Sequence, residues 1–190
     1  MDGKKKDGWS GDRSLFFCYG QDMHPDILAK RGGAAEAVAV ARLEDFRLDF
    51  SGRSAYWGGG EENALPAAGS AIWGIVYALS FKDAEAFDAG QGAKLDGTGP
   101  YYHYPVVVRD GSGGSFNALM YRKSAIGAAA PPSRAQLECI VSGARMRGLP
   151  EGYVASLAER SVDPEAGAPR DPGRLGAPIL KACDCGSVSP

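Results

Sequence analysis

The chain is poor in the residues that hold metals. It has 2 histidines and 4 cysteines in 190 residues. His24 and His103 are far apart in sequence, and Cys183 and Cys185 stand one residue apart with no histidine beside them. That spacing is not a zinc knuckle, so no metal site is expected. Cys18 and Cys139 sit in apolar patterns and read as buried thiols. An excess of one charge is also missing. With 21 basic and 23 acidic residues the net charge is -2, which leaves no electrostatic footprint for nucleic acid. No apolar run is long enough to span a membrane. Met1 to Arg13 is rich in Lys, Gly and Asp and lacks the apolar centre of a signal peptide; Lys4-Lys5-Lys6 is too short a basic run to serve as one. A soluble intracellular protein is the expectation, cytoplasmic first, with import behind a trimmed leader left open. There is no internal repeat.

The composition, 44% hydrophobic and 23% charged, suits one domain with a sizeable core. The expected organisation is a polar tail over 1–13, a domain over 14–160, and a Pro/Gly-rich tail over 161–190 that wraps a protein partner or stays disordered alone. Leu15 to Tyr19 reads as a short buried strand. Ala34 to Leu43 reads as a strand despite its alanines, followed by the alternating Phe46 to Phe50, and Ser51 to Ala68 as a glycine-rich loop. Ala71 to Leu79 is a near-continuous apolar run, a central strand. Ser80 caps a short helix, Phe81 to Phe87, and Asp88 to Gly92 reads as a loop. Tyr101 to Arg109 and Ser115 to Tyr121 form a hairpin around the turn Asp110 to Gly114. Helices follow from about Arg134 to Arg147, with Leu137, Ile140, Val141 and Ala144 on one face, and from Leu149 to about Arg160. The sum is an α+β domain: a small, mixed, mostly antiparallel, barrel-like sheet with outer helices.

The functional candidates gather at the end of the first strand. Tyr19-Gly20 breaks it, Gln21-Asp22 follows, and Pro25 opens a helix. Strand, glycine turn and helix start together leave backbone N–H groups unpaired at one spot, a cradle for an anion or a carbonyl oxygen. An ordinary turn has the same signature.

The spacings then match a known family. Phe17-Cys18-Tyr19-Gly20-Gln21-Asp22, Val40 to Phe50, Trp57-Gly58-Gly59-Gly60, Ile72 to Tyr77, Phe87 to Gly92, Ala130-Pro131-Pro132-Ser133, and Gly143-Ala144-Arg145 with Gly148-Leu149-Pro150 and Tyr153 occur in order. Over about residues 15–160 the chain resembles the γ-glutamylcyclotransferases. The resemblance implies a small barrel with outer helices, and a pocket for a γ-glutamyl-type small molecule. For active members it also implies a reaction. The free α-amine of a γ-glutamyl group attacks its own γ-carbonyl and forms 5-oxoproline. No cofactor or metal is implied, because nucleophile and target are already tethered. One glutamate, just before a glycine after the short helix, takes the ammonium proton and returns it to the leaving nitrogen. A Tyr-Gly-Ser-Asn turn after the first strand binds the substrate and the developing oxyanion.

The chain departs from that pattern in the pocket. The glutamate position is Gln91, whose amide cannot accept a proton at neutral pH. The turn reads Tyr19-Gly20-Gln21-Asp22. Glu61-Glu62-Asn63 replaces an apolar run, and Ala118 stands where a tyrosine is expected. The implied site is Gln91 at the position of the base, with Tyr19, Gly20, Gln21 and Asp22 around the substrate. Three readings follow. The chain is a non-catalytic binding or assembly subunit; or it is an active cyclotransferase with Glu61, Glu62 or Asp22 as the base; or Gln91 is an introduced change in an active enzyme.

Overall fold

The computed structural model describes residues 5–6, 9–10, 13–32, 35–94, 96–167 and 169. Two short strands, β1 (Lys5–Lys6) and β2 (Trp9–Ser10), precede β3 (Arg13–Cys18). A single 3-10 turn (Gln21–Met23) and α1 (Pro25–Gly32) follow. Two long strands come next, β4 (Glu36–Ser51) and β5 (Glu61–Ser80), then α2 (Phe81–Gln91). The hairpin β6 (Tyr101–Asp110) and β7 (Ser115–Lys123) leads to α3 (Arg134–Met146) and α4 (Glu151–Ala158).

The sheet runs β1-β7-β6-β4-β5-β3-β2, and β7 also pairs with β3. That last contact, Phe16 opposite Leu119, closes five strands into a small barrel. It is parallel, as is β1 against β7, while the other pairings are antiparallel. The architecture is the expected mixed barrel with outer helices.

Three local expectations are corrected. Residues 61–68 are strand, because β5 begins at Glu61 and pairs from Glu61↔Ser51 through Pro66↔Phe46. The two runs read as separate strands are one, β4. Its register shifts between Glu44 and Phe46, where Asp45 adopts φ 59 and its carboxylate accepts the Gly69 N–H. A bulge of this kind bends a strand without ending it. Finally, Asp88 to Gln91 is helix. Gly92 ends α2 in the left-handed conformation, which a glycine adopts without steric cost.

Other signals read as expected. The Ser80 hydroxyl caps α2 by accepting the Asp83 N–H, and Ser133 caps α3 through Gln136 N–H. Such caps are worth about 1 kcal/mol each. Leu137, Ile140, Val141 and Ala144 bury the inner face of α3. Phe16, Phe17, Ile72, Tyr77, Phe87, Phe116 and Met120 fill one continuous core. Cys18 and Cys139 are buried thiols, whereas Cys183, Cys185 and most of 161–190 lie outside the described residues. The start of that segment rests on the domain: Val162 packs against the core, and Asp163 N–H donates to Pro132 O. Among the described residues no helix is long and apolar enough to cross a membrane.

Candidate functional site

The site forms where four strands and one helix present their ends. β3 runs into Tyr19 and Gly20, and the 3-10 turn brings Asp22 round beneath them. Met23 N–H donates to Gly20 O and His24 N–H to Gln21 O, which fixes the turn. α3 braces it from outside. A side chain at Gly143 would put its Cβ 2.6 Å from the His24 backbone nitrogen, so only glycine allows this approach. Glu62 enters from the start of β5, Tyr101 from the start of β6, Tyr121 from β7 and Gln91 from the last turn of α2.

Tyr19, Gly20, Asp22 and Gln91 therefore line one cavity of about 30 Å³, together with Phe17, Cys18, Glu62, Tyr101 and Tyr121. The Gln91 amide donates to Asp22 Oδ2 at 2.5 Å across it. Gln21 does not line it. Its side-chain oxygen turns away to accept the Trp57 indole N–H at 2.6 Å, and only its backbone N–H faces inward, onto Glu62 Oε1 at 3.2 Å. Trp57 is buried, with Ile27 and Cys139.

The three acids considered as bases separate cleanly. Glu61 and Glu62 are neighbours on a strand and point to opposite faces. Glu61 pairs with Lys123 Nζ at 2.7 Å, away from the cavity. Glu62 lies in the cavity, held by the Gln21 N–H and the Gln136 amide. Gly20 makes room for it, since a Cβ there would fall 2.7 Å from the Glu62 side chain. Asp22 pairs with Arg31 at 3.0 Å.

Burial pushes both cavity carboxyls above their ordinary range. For Asp22 the Arg31 guanidinium and the Gln91 amide act against that rise without cancelling it. For Glu62 the Asp22 charge adds to it. Tyr19, Tyr101 and Tyr121 are likewise pushed up by burial, so their phenols stay protonated. Burial also raises the Cys18 thiol, which is therefore a weak nucleophile.

Sequence reasoning passed over two walls. Tyr101 reads as an ordinary strand residue, and it is one, but it also lines the cavity. Tyr121 carried no signal of its own. Its hydroxyl donates to Asp88 Oδ1 at 2.5 Å, and His103, directly opposite on β6, reaches the same oxygen at 2.6 Å. Asp88 and Gln91, three apart on α2, share one helix face. Arg147, just past the end of α3, donates to Met23 O and lies over the Tyr77 ring. Among the described residues no group of three His, Cys, Asp or Glu side chains is placed to hold a metal.

Comparison with known proteins agrees with this architecture. A model of the AIG2-like family matches residues 71–157. γ-Glutamylcyclotransferase of Mus musculus is 29% identical over 161 residues, covering 83% of this chain and 82% of that protein. The Bos taurus protein of the same name is 29% identical over 158 residues, 81% of each chain. A solved structure titled gamma-glutamyl cyclotransferase superposes with a TM-score of 0.77 at 27% identity, over 84% of this chain and 95% of that one. The shared barrel and the extent of these matches define a γ-glutamylcyclotransferase-like fold. The chain is similar to γ-glutamylcyclotransferases over most of its length.

Proposed function

We propose that this protein binds a γ-glutamyl-type small molecule in the cavity without efficiently converting it to 5-oxoproline. The observation that carries the reading is the contact between Gln91 and Asp22. Cyclisation needs the substrate ammonium to lose a proton, and the residue at the family's base position is an amide whose N–H₂ is committed to a carboxylate. The resemblance pairs an asparagine at the position of Asp22 with a glutamate at the position of Gln91. Here the carboxylate and the amide stand at exchanged positions, and the amide donates to the carboxylate. The carboxylate now sits on the opposite wall, tied to Arg31.

The exchange also explains why a single reversal is a poor repair. A glutamate at 91 would face Asp22 at hydrogen-bond distance, and two carboxylates that close cannot both ionise. The double variant Asp22→Asn/Gln91→Glu restores the family's polarity.

One observation favours the active alternative. Asp22 has a carboxyl raised by burial toward neutral pH, where a base works best. An assay of 5-oxoproline release from γ-glutamylalanine separates the readings. The unmodified protein and Gln91→Glu are expected to be near background. The double variant should rise by about 10²–10⁴-fold, the usual contribution of a general base. Robust turnover by the unmodified protein, abolished by Asp22→Asn, would overturn the proposal and make Asp22 the base.

A further inference from the structure

From the hydrogen bonds around the cavity we infer that it selects a ligand through a protonated amine, which enters head first. The inference rests on the binding reading above and names what the cavity recognises. Most side-chain donors on its walls that could have met a ligand carboxylate are already spent. The Tyr19 hydroxyl donates to Tyr121 O at 2.7 Å, and the Tyr121 hydroxyl donates to Asp88. The Gln91 amide N–H donates to Asp22, and the Gln21 N–H to Glu62. The walls are rich in acceptor oxygen: two phenol oxygens with free lone pairs and two carboxylates. Asp22 Oδ1, on a side chain more than nine-tenths buried, accepts no hydrogen bond although Arg31 lies beside it. The Tyr101 hydroxyl, which makes no hydrogen bond among the described residues, can turn to either role.

Charge and size point the same way. Arg31 balances Asp22, but among the described residues Glu62 is held only by neutral donors, the Gln21 backbone and the Gln136 amide. With both acids ionised the enclosed charge is one negative unit, which a single cation neutralises. Burying a charge without such compensation is costly. The cavity of about 30 Å³ admits a group the size of one or two waters. An ammonium group has that size and three donors. A ligand carboxylate would meet acceptors and a like charge. Around the rim, Phe17, Tyr19, Tyr101 and Tyr121 supply aromatic surface, which also favours a cation. An ammonium so held keeps its proton, which agrees with a pocket that binds without cyclising.

The test is calorimetric titration of the full chain with n-butylammonium chloride and with sodium butyrate, probes that differ only in the head group. γ-Glutamylalanine and its N-acetyl derivative form a second pair. The expected result is saturable binding of butylammonium, none of butyrate, and loss of binding on N-acetylation. Glu62→Gln should weaken the amine by about ten- to hundredfold, the worth of a charged hydrogen bond. Binding of butyrate as tight as butylammonium, or no saturable binding of the amine, would overturn the inference. So would unweakened binding of N-acetyl-γ-glutamylalanine. The 5-oxoproline assay is independent of all three, so the binding inference can fail while the absence of turnover stands.

Discussion

Glu62 is a residue whose chemistry the fold strains. Its carboxyl is raised by burial and by Asp22, so the charged form costs stability in the folded state. Well below the ordinary carboxylate range both folded and unfolded chains hold this proton. As pH rises through that range the unfolded chain releases it first, and stability declines until pH passes the raised folded value. Glu62→Gln removes this decline. It also gives the Gln136 side-chain oxygen, which is buried with no hydrogen-bond partner, an amide donor. The variant is therefore expected to be about 1 kcal/mol more stable than the unmodified chain at pH 7. Urea titration at several pH values should show that gain shrinking as pH falls through the raised Glu62 pKa. A gain that grew on acidification would contradict the assignment. Trp57 makes the complementary prediction. Trp57→Phe leaves the Gln21 side-chain oxygen buried without its donor and should cost about 1–3 kcal/mol.

At the scale of elements, the site depends on where helices and strands stop. α2 delivers Gln91 at its last residue because Gly92 adopts φ 69. Gly92→Ala should destabilise the chain by about 1–2 kcal/mol, since the left-handed conformation is unfavourable for a residue with a Cβ. A melting temperature unchanged by that substitution would show that the helix end is free to re-form elsewhere. These ends were the part least legible in the sequence. The core strands and the face of α3 announce themselves through apolar period, and Ser80 and Ser133 through capping chemistry. The start of β5 does not, because Glu61-Glu62-Asn63 is polar and becomes strand only by pairing with Asp49 to Ser51, ten or more residues away. For the same reason Glu62 could be named as a candidate but not told apart from Glu61. Strand alternation separates them, and alternation has no meaning in a loop. Tyr121 was illegible because its role depends on Asp88 and His103, brought to it by two other elements.

Over the whole molecule, a closed barrel leaves few free sheet edges, and the cavity is bordered by the turn after β3, which α3 braces. Among the described residues the segment after α4 joins this domain through Arg160, which donates to Leu48 O and lies over the Phe50 ring, and through Val162 and Asp163. We therefore expect removal of residues 170–190 to leave thermal stability nearly unchanged, and removal from Val162 onward to lower it measurably. Equal losses from the two truncations would mean that the Pro/Gly-rich end supports the fold. Loss of a co-purifying protein on the shorter truncation alone would support its expected role in assembly.

The central claim is that the pocket holds its ligand without chemistry. A single proton NMR time course of the unmodified chain with γ-glutamylalanine reads both halves of that claim. The account predicts saturation transfer from protein to ligand, with no 5-oxoproline signal growing above the protein-free control. Growth of 5-oxoproline and free alanine at equal rates, over minutes at micromolar protein, would contradict it.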